Sequence, residues 1–178
     1  MERLDIDHMN AAVKEWSCVV AALSAGRQIV LLRKGGVVEG MRGFKARHPE
    51  FLLFPIFDSQ HACWLKPEFQ PLAAQQPGNG IVIAHLARVT DVIAVPDSLH
   101  APHIWNEEFL MTRRDYRPEL PLFVILVRVY RLATPVTIPN RISYAGCKSW
   151  VNLIEDIDTS DAEPVLDDEA YRQMCRFC

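Results

Sequence analysis

Arg33-Lys34-Gly35-Gly36 places two cations directly before two glycines. Guanidinium and ammonium groups pair well with phosphate or carboxylate oxygens. Glycines let the backbone turn tightly and bring its N–H groups close to an anion. Arg42, Lys45, Arg47 and His48 follow within a few residues, so the whole stretch is a candidate anion-holding corner. It is not a nucleotide-binding P-loop, because the required Gly, four residues, then Gly-Lys-Ser/Thr is absent. The plainer reading is a solvated loop at a strand end. Three aromatic residues, Trp105, Tyr144 and Trp150, are candidates to stack on a nucleobase. Trp150 lies within an apolar run, SWVNL, and also reads as core. Trp105 has polar neighbours, His103, Asn106 and Glu107, which predict partial exposure.

Other reactive residue types are present without a complete pattern. His100 with His103, His61 with Cys63, and Cys175 with Cys178 could each supply two metal ligands. A structural zinc site needs four in paired spacing, so neither a metal nor another cofactor is expected. No Gly-x-Ser-x-Gly elbow occurs, and Cys147 and Ser149 have no assigned base. Glu39, Asp58 and His61 would be the residues of a hydrolase or nuclease acting on nucleic acid or nucleotides. The acid-x-Lys string of a metal nuclease is missing, which places that activity second to simple binding.

Apolar residues make up 49% of the 178-residue chain, enough for a real core. The N-terminus, MERLDIDHMN, lacks the basic-then-apolar pattern of a secretory leader. No apolar run reaches the ~18–20 residues of a membrane helix. Five scattered cysteines are an odd number and suit reduced thiols, so a cytoplasmic setting is expected. The net charge of −3 is unevenly spread: residues 155–178 hold eight of the 22 acids but two of the 19 Lys and Arg. The first 154 residues are therefore mildly basic. They read as a single domain, followed by an acidic tail at 155–178 with a short terminal helix. A basic body can meet an anionic partner, RNA or DNA, and an acidic tail can meet a basic protein.

Residues 10–25 have apolar positions at helical spacing, with Asn10 as cap and Gly26 as terminator; a strand at 16–23 is the competing reading. Gln28–Arg33 and Phe51–Phe57 read as strands, and residues 67–80 as a connector. Ile81–Val95 reads as two short strands with a bend near Thr90-Asp91. Residues 103–114 read as a short helix with Ile104, Glu108 and Met111 on one side. Leu122–Leu132 is the strongest strand, after which Pro135 and Pro139 turn the chain toward a strand at Trp150–Ile154. Strands do not alternate with long helices, so a doubly wound parallel sheet is not expected. The fold class is α+β: a small, mainly antiparallel β-barrel or curved sheet with flanking helices.

The blocks EWSCVVAALSAGRQIVLLRKGG, FLLFPIF, PLFVILVRVYRLATPVTIP and YAGCKSWVNL together resemble a bacterial family of domains of unknown function, number 1802. The resemblance spans roughly residues 12–154. Where that family has a Tyr and a His-Gln after Phe-Pro, this chain has Phe57-Asp58-Ser59-Gln60-His61. The resemblance implies a link to restriction–modification systems. A looser similarity, in AALSAGRQIVLLR and VYRLATPVTIP…GCKSWVNL, is to ASCH domains of the PUA-like superfamily. It implies a small β-barrel with helices at its openings and a non-enzymatic, nucleic-acid-binding role.

Overall fold

The structure, a computed structural model, describes residues 6–34, 48–57, 59–74, 78–94, 100–146 and 148–176. Among these residues seven strands form one sheet: β1 (His8–Trp16), β2 (Val30–Lys34), β3 (Glu50–Ile56), β4 (Ile81–Ala94), β5 (Leu122–Ile138), β6 (Trp150–Asp158) and β7 (Glu163–Pro164). Three α-helices accompany them: α1 (Ser17–Ser24), α2 (Glu107–Asp115) and α3 (Asp168–Cys175). The strand order is β2-β5-β4-β3-β1-β6, with β7 added to β5. The β1–β3 pair is parallel and the other pairs are antiparallel. This is the expected α+β class with a mostly antiparallel sheet. The sheet is not closed into a barrel. No helix among the described residues is long and apolar enough to cross a membrane.

Both faces of the sheet are buried. In β3, Phe51 and Leu53 enter one core and Leu52 and Phe54 the other, as a period of two requires. The first core is covered by all three α-helices through Leu23, Phe109 and Tyr171. The second lies where β5 and the start of β4 meet β1 and β6, through Ile83, Tyr130, Leu132, Val151 and Ile157.

Several expectations need correction. Residues 10–25 are not one helix. The chain runs as β1 to Trp16 and turns directly into α1, so Asn10 lies within a strand. Pairing to both β3 and β6 outweighs local helical spacing there. Gly26 does end the helix, with φ of +64°. Ile81–Ala94 is one strand, and the expected bend is a register shift between Val89 and Asp91. The connector at 67–80 holds a 3-10 turn, Pro67–Ala74. In α2 the buried residues are Phe109 and Leu110, while Met111 is 61% exposed. β5 continues through Pro135, which falls in a register shift opposite Ile83 to His85, where a missing N–H costs no ladder bond. The stretch expected as an acidic tail carries the end of β6, then β7 and α3.

Candidate functional site

Glu15 and Trp16 are the last two residues of β1, held in register by Pro55 and Ile56 of β3. Arg33 lies on β2, at the far side of β5, β4 and β3 in the sheet order. Even so, Arg33 Nη1 lies 2.6 Å from Glu15 Oε2, with the two side chains 14% and 8% exposed. The sheet is therefore curled until strands β1 and β2 face each other. The rest of the Arg33 guanidinium is also engaged. Nη1 donates to the carbonyl of Leu32 at 2.9 Å and Nη2 to that of Lys14 at 3.3 Å. Glu15 Oε1 accepts from the Trp16 backbone N–H at 2.9 Å.

Helix α2 closes the opening from one side. Asn106 caps it by accepting from Phe109 N–H at 2.9 Å, and its amide donates to the carbonyl of Cys63. Leu65 and Trp105 form a bridge, and Lys66 N–H donates to the carbonyl of Ile104. Buried Gln28 fixes this segment to β2: its Oε1 accepts from Ile104 N–H at 3.0 Å and its Nε2 donates to the carbonyl of Val30 at 2.7 Å. These bonds place Trp105 and Phe109 ring to ring, 5.9 Å apart and 20° from parallel. Phe109 also meets Trp16 at 5.3 Å. His61 stacks on Trp16 with ring centroids 3.5 Å apart.

Between these groups lies a cleft of about 100 Å³, lined by Glu15, Trp16, Leu32, Arg33, Trp105, Phe109 and Arg113. Two guanidiniums and one carboxylate give it a net positive charge. Arg113 Cζ sits 5.9 Å from the Phe109 ring centroid, and its Nε is buried with no hydrogen-bond partner. Burial, then the charge of Arg33, holds the Arg113 guanidinium below its usual pKa. Glu15 Oε2, though ion-paired with Arg33, is likewise buried with no hydrogen-bond partner, so the cleft offers both a donor and an acceptor beside aromatic side chains.

Of the residues singled out from sequence, Arg33 and Trp105 meet in this cleft. Trp105, expected to be partly exposed, is only 2% exposed, because both its flanking segments are bonded inward. The Lys34 ammonium donates to the carbonyl of Arg114 at the end of α2. Both cations of the motif thus have partners within the protein, since a buried carboxylate and a helix-end carbonyl each need one. Gly35, Gly36, Arg42, Lys45 and Arg47, with Glu39 and Asp58, lie outside the described residues. His48 meets the half-buried Trp150 edge-on at 5.3 Å, and Trp150 meets Phe51 at 5.4 Å. Tyr144 is 3% exposed; its hydroxyl donates to Glu155 and accepts from Ile154 N–H. It borders a different, larger groove of about 510 Å³ on the other face of β1, with Lys14, Asn79 and Asn140.

Trp16, Phe109, Arg113 and Gln28 were missed from sequence. Local spacing places Trp16 on an apolar helix face, and nothing in the 103–114 segment sets Arg113 apart. Nothing local in the sequence announces that β1 and β2 meet. Among the described residues, no three His, Cys, Asp or Glu side chains are grouped to share a metal ion. No curated protein and no solved structure matches the chain. A family model matches residues 12–176, so the chain belongs to the family described as domain of unknown function DUF1802.

Proposed function

We propose that the chain is a non-enzymatic nucleic-acid-binding module of PUA-like architecture, serving a restriction–modification system. The observation that carries this reading is the cleft between β1 and β2, where the half-buried Trp16 stands near Arg113, whose Nε has no hydrogen-bond partner. Aromatic faces accept a base by stacking, worth about 1–3 kcal/mol per base. A base enters such a cleft from a single strand or after being flipped from a duplex. Phosphate contacts would come from the mildly basic first 154 residues, within a chain whose net charge is −3. The resemblance to ASCH domains, and the restriction–modification link that the family resemblance implies, point to the same class of partner.

The test is binding of labelled single- and double-stranded RNA and DNA at low and moderate salt, read by fluorescence anisotropy. The expected result is salt-sensitive binding that weakens at least several-fold in Trp16→Ala and in Arg113→Gln. Circular dichroism confirms that both variants are folded. No binding of any of the four nucleic acids by the wild type overturns the reading.

A further inference from the structure

The sheet splits part-way along its strands, and the split opens a groove. β3 pairs with β4 from Glu50 to Leu52 and runs on beside β1 as far as Ile56. The first residues of β4 pair instead with the end of β5, Ile81 opposite Ile138. The two pairs of strands therefore diverge. Tyr144 packs into the base of the gap with Ile81 and Ile138. Its ring meets Phe54 at 5.7 Å, and its hydroxyl donates to Glu155 and accepts from Ile154 N–H. Beyond it lies the open groove of about 510 Å³. That size is within the ~300–1,000 Å³ of small-molecule clefts.

Half-buried Ile56 and Phe57 leave apolar surface facing the groove. Asn79 and Asn140 stand exposed at its rim, and each amide can donate and accept. Gly80 lets the Asn79 turn come close to β5: a Cβ there would lie 2.7 Å from Thr137 Cγ2 and 2.8 Å from the Ile138 carbonyl oxygen. Among the described residues that line the groove, Lys14 alone carries a charge. Lys14 sits opposite Phe54 in the β1–β3 register, and its Nζ donates to the carbonyl of Gly146 at 3.0 Å. Its backbone N–H donates to the carbonyl of Ser149, so the turn that holds the ammonium is itself tied to β1. The Arg141–Glu155 pair bonded to Tyr144 is neutral overall.

One positive charge beside apolar walls selects by charge number. An amine is repelled, and a neutral ligand gains from the walls alone. A phosphate monoester carries about −1.5 to −2 at pH 7, more than one ammonium balances. A carboxylate carries a single negative charge and two acceptor oxygens, which suit an ammonium and a side-chain amide. From this match we infer that the groove binds a small organic molecule with one carboxylate on an apolar body, Lys14 pairing with the carboxylate and Ile56 and Phe57 holding the body. The site is separate from the Trp16 cleft and does not depend on the nucleic-acid reading.

The test titrates the full, isotope-labelled chain with phenylbutyrate, phenylbutanol, phenylbutylamine and phenylbutyl phosphate, read by amide shifts in NMR spectra. The four probes share one apolar body and differ in head group. Phenylbutyrate is expected to shift the amides of Gly80, Ala145 and Gly146 and to bind about fivefold tighter than the alcohol. The amine should bind more weakly than the alcohol, and the phosphate no tighter than the carboxylate. Lys14→Met should reduce phenylbutyrate to the alcohol's affinity, and Lys14→Arg should keep most of the preference. Added salt should weaken phenylbutyrate and leave the alcohol unchanged, a readout that needs no variant. The inference is overturned if the alcohol or the amine binds as tightly as the carboxylate, or if the phosphate binds clearly tighter. It is equally overturned if the shifted amides surround Trp16 and Phe109 instead, or if no probe shifts any amide.

Discussion

A carboxylate that is 8% exposed keeps its charge only with a partner, and Glu15 has Arg33. Removing that partner alone leaves a buried, uncompensated charge, which costs about 3–5 kcal/mol. Arg33→Ala is therefore expected to lower stability by that order in urea unfolding. The pair Glu15→Leu with Arg33→Met should recover much of the loss. A single-variant cost below ~1 kcal/mol would show that the pair does not hold β1 to β2. His85 makes a second residue-scale case. Burial, then Arg131, lowers its pKa to about 4, and its Nδ1 lies 3.2 Å from Ser24 Oγ. In the unfolded chain its pKa is ~6.5. The unfolded state thus binds the proton first, so stability is full above ~6.5 and falls as the pH drops toward 4. Partial exposure reduces the effect to about 2 kcal/mol. His85→Gln should remove that part of the acid sensitivity in melting curves recorded across this range; an unchanged slope would place the sensitivity elsewhere. Neither role was legible in the sequence. Local sequence presents Arg33 as a cation for an outside anion, because its partner lies 18 residues away on a strand whose spacing also fits a helix.

At the scale of elements, the strongest local signals survived. The apolar runs gave β2, β3 and the first half of β5 close to their observed bounds. What failed was decided by pairing partners. β1 is a strand because β3 and β6 hold it on both sides, although its residues also fit a helical face. Pro135 did not end β5 because a register shift absorbs it. Gly26 is the element-scale position with a sharp consequence. Its φ of +64° ends α1 in the left-handed region. An added Cβ would lie 2.6 Å from Leu166 Cδ2, in the segment leading to α3. Gly26→Ala therefore carries a backbone cost of about 1–2 kcal/mol, with a steric cost on top. Differential scanning calorimetry of Gly26→Ala, Leu166→Ala and the double variant separates the two. The double variant should regain the steric part and keep the backbone part. Strict additivity of the two losses would mean that Gly26 and Leu166 do not press on one another.

At the scale of the molecule, curling the sheet does two jobs. It brings strands that are distant in the sheet order together at the cleft, and it builds a core on each face. The composition at the C-terminus suggested something detachable, since charge runs are usually solvated. The acids are indeed mostly outward, but the residues between them are not. Tyr171 is buried and its hydroxyl meets Thr90 Oγ1 at 2.6 Å. Asp168 pairs with Arg128, whose guanidinium lies 5.4 Å from the Tyr171 ring centroid. Val165 and Leu166 pack on the first core beside them. Sequence periodicity marked the helix without revealing that its few apolar residues complete a core, because that depends on β5 lying beneath it. Removing residues 163–178 would expose Leu23, Ile29 and Val129 and leave Arg128 without its acid. Such a truncation is expected to lose several kcal/mol and melt broadly or not fold. Neutralising outward acids instead, with Asp161→Asn and Glu163→Gln, should change stability by under ~0.5 kcal/mol. These two variants, compared by thermal melting, separate a solvated appendage from a structural closure. A truncated chain that melts as the full one does would return the segment to the role its composition first suggested.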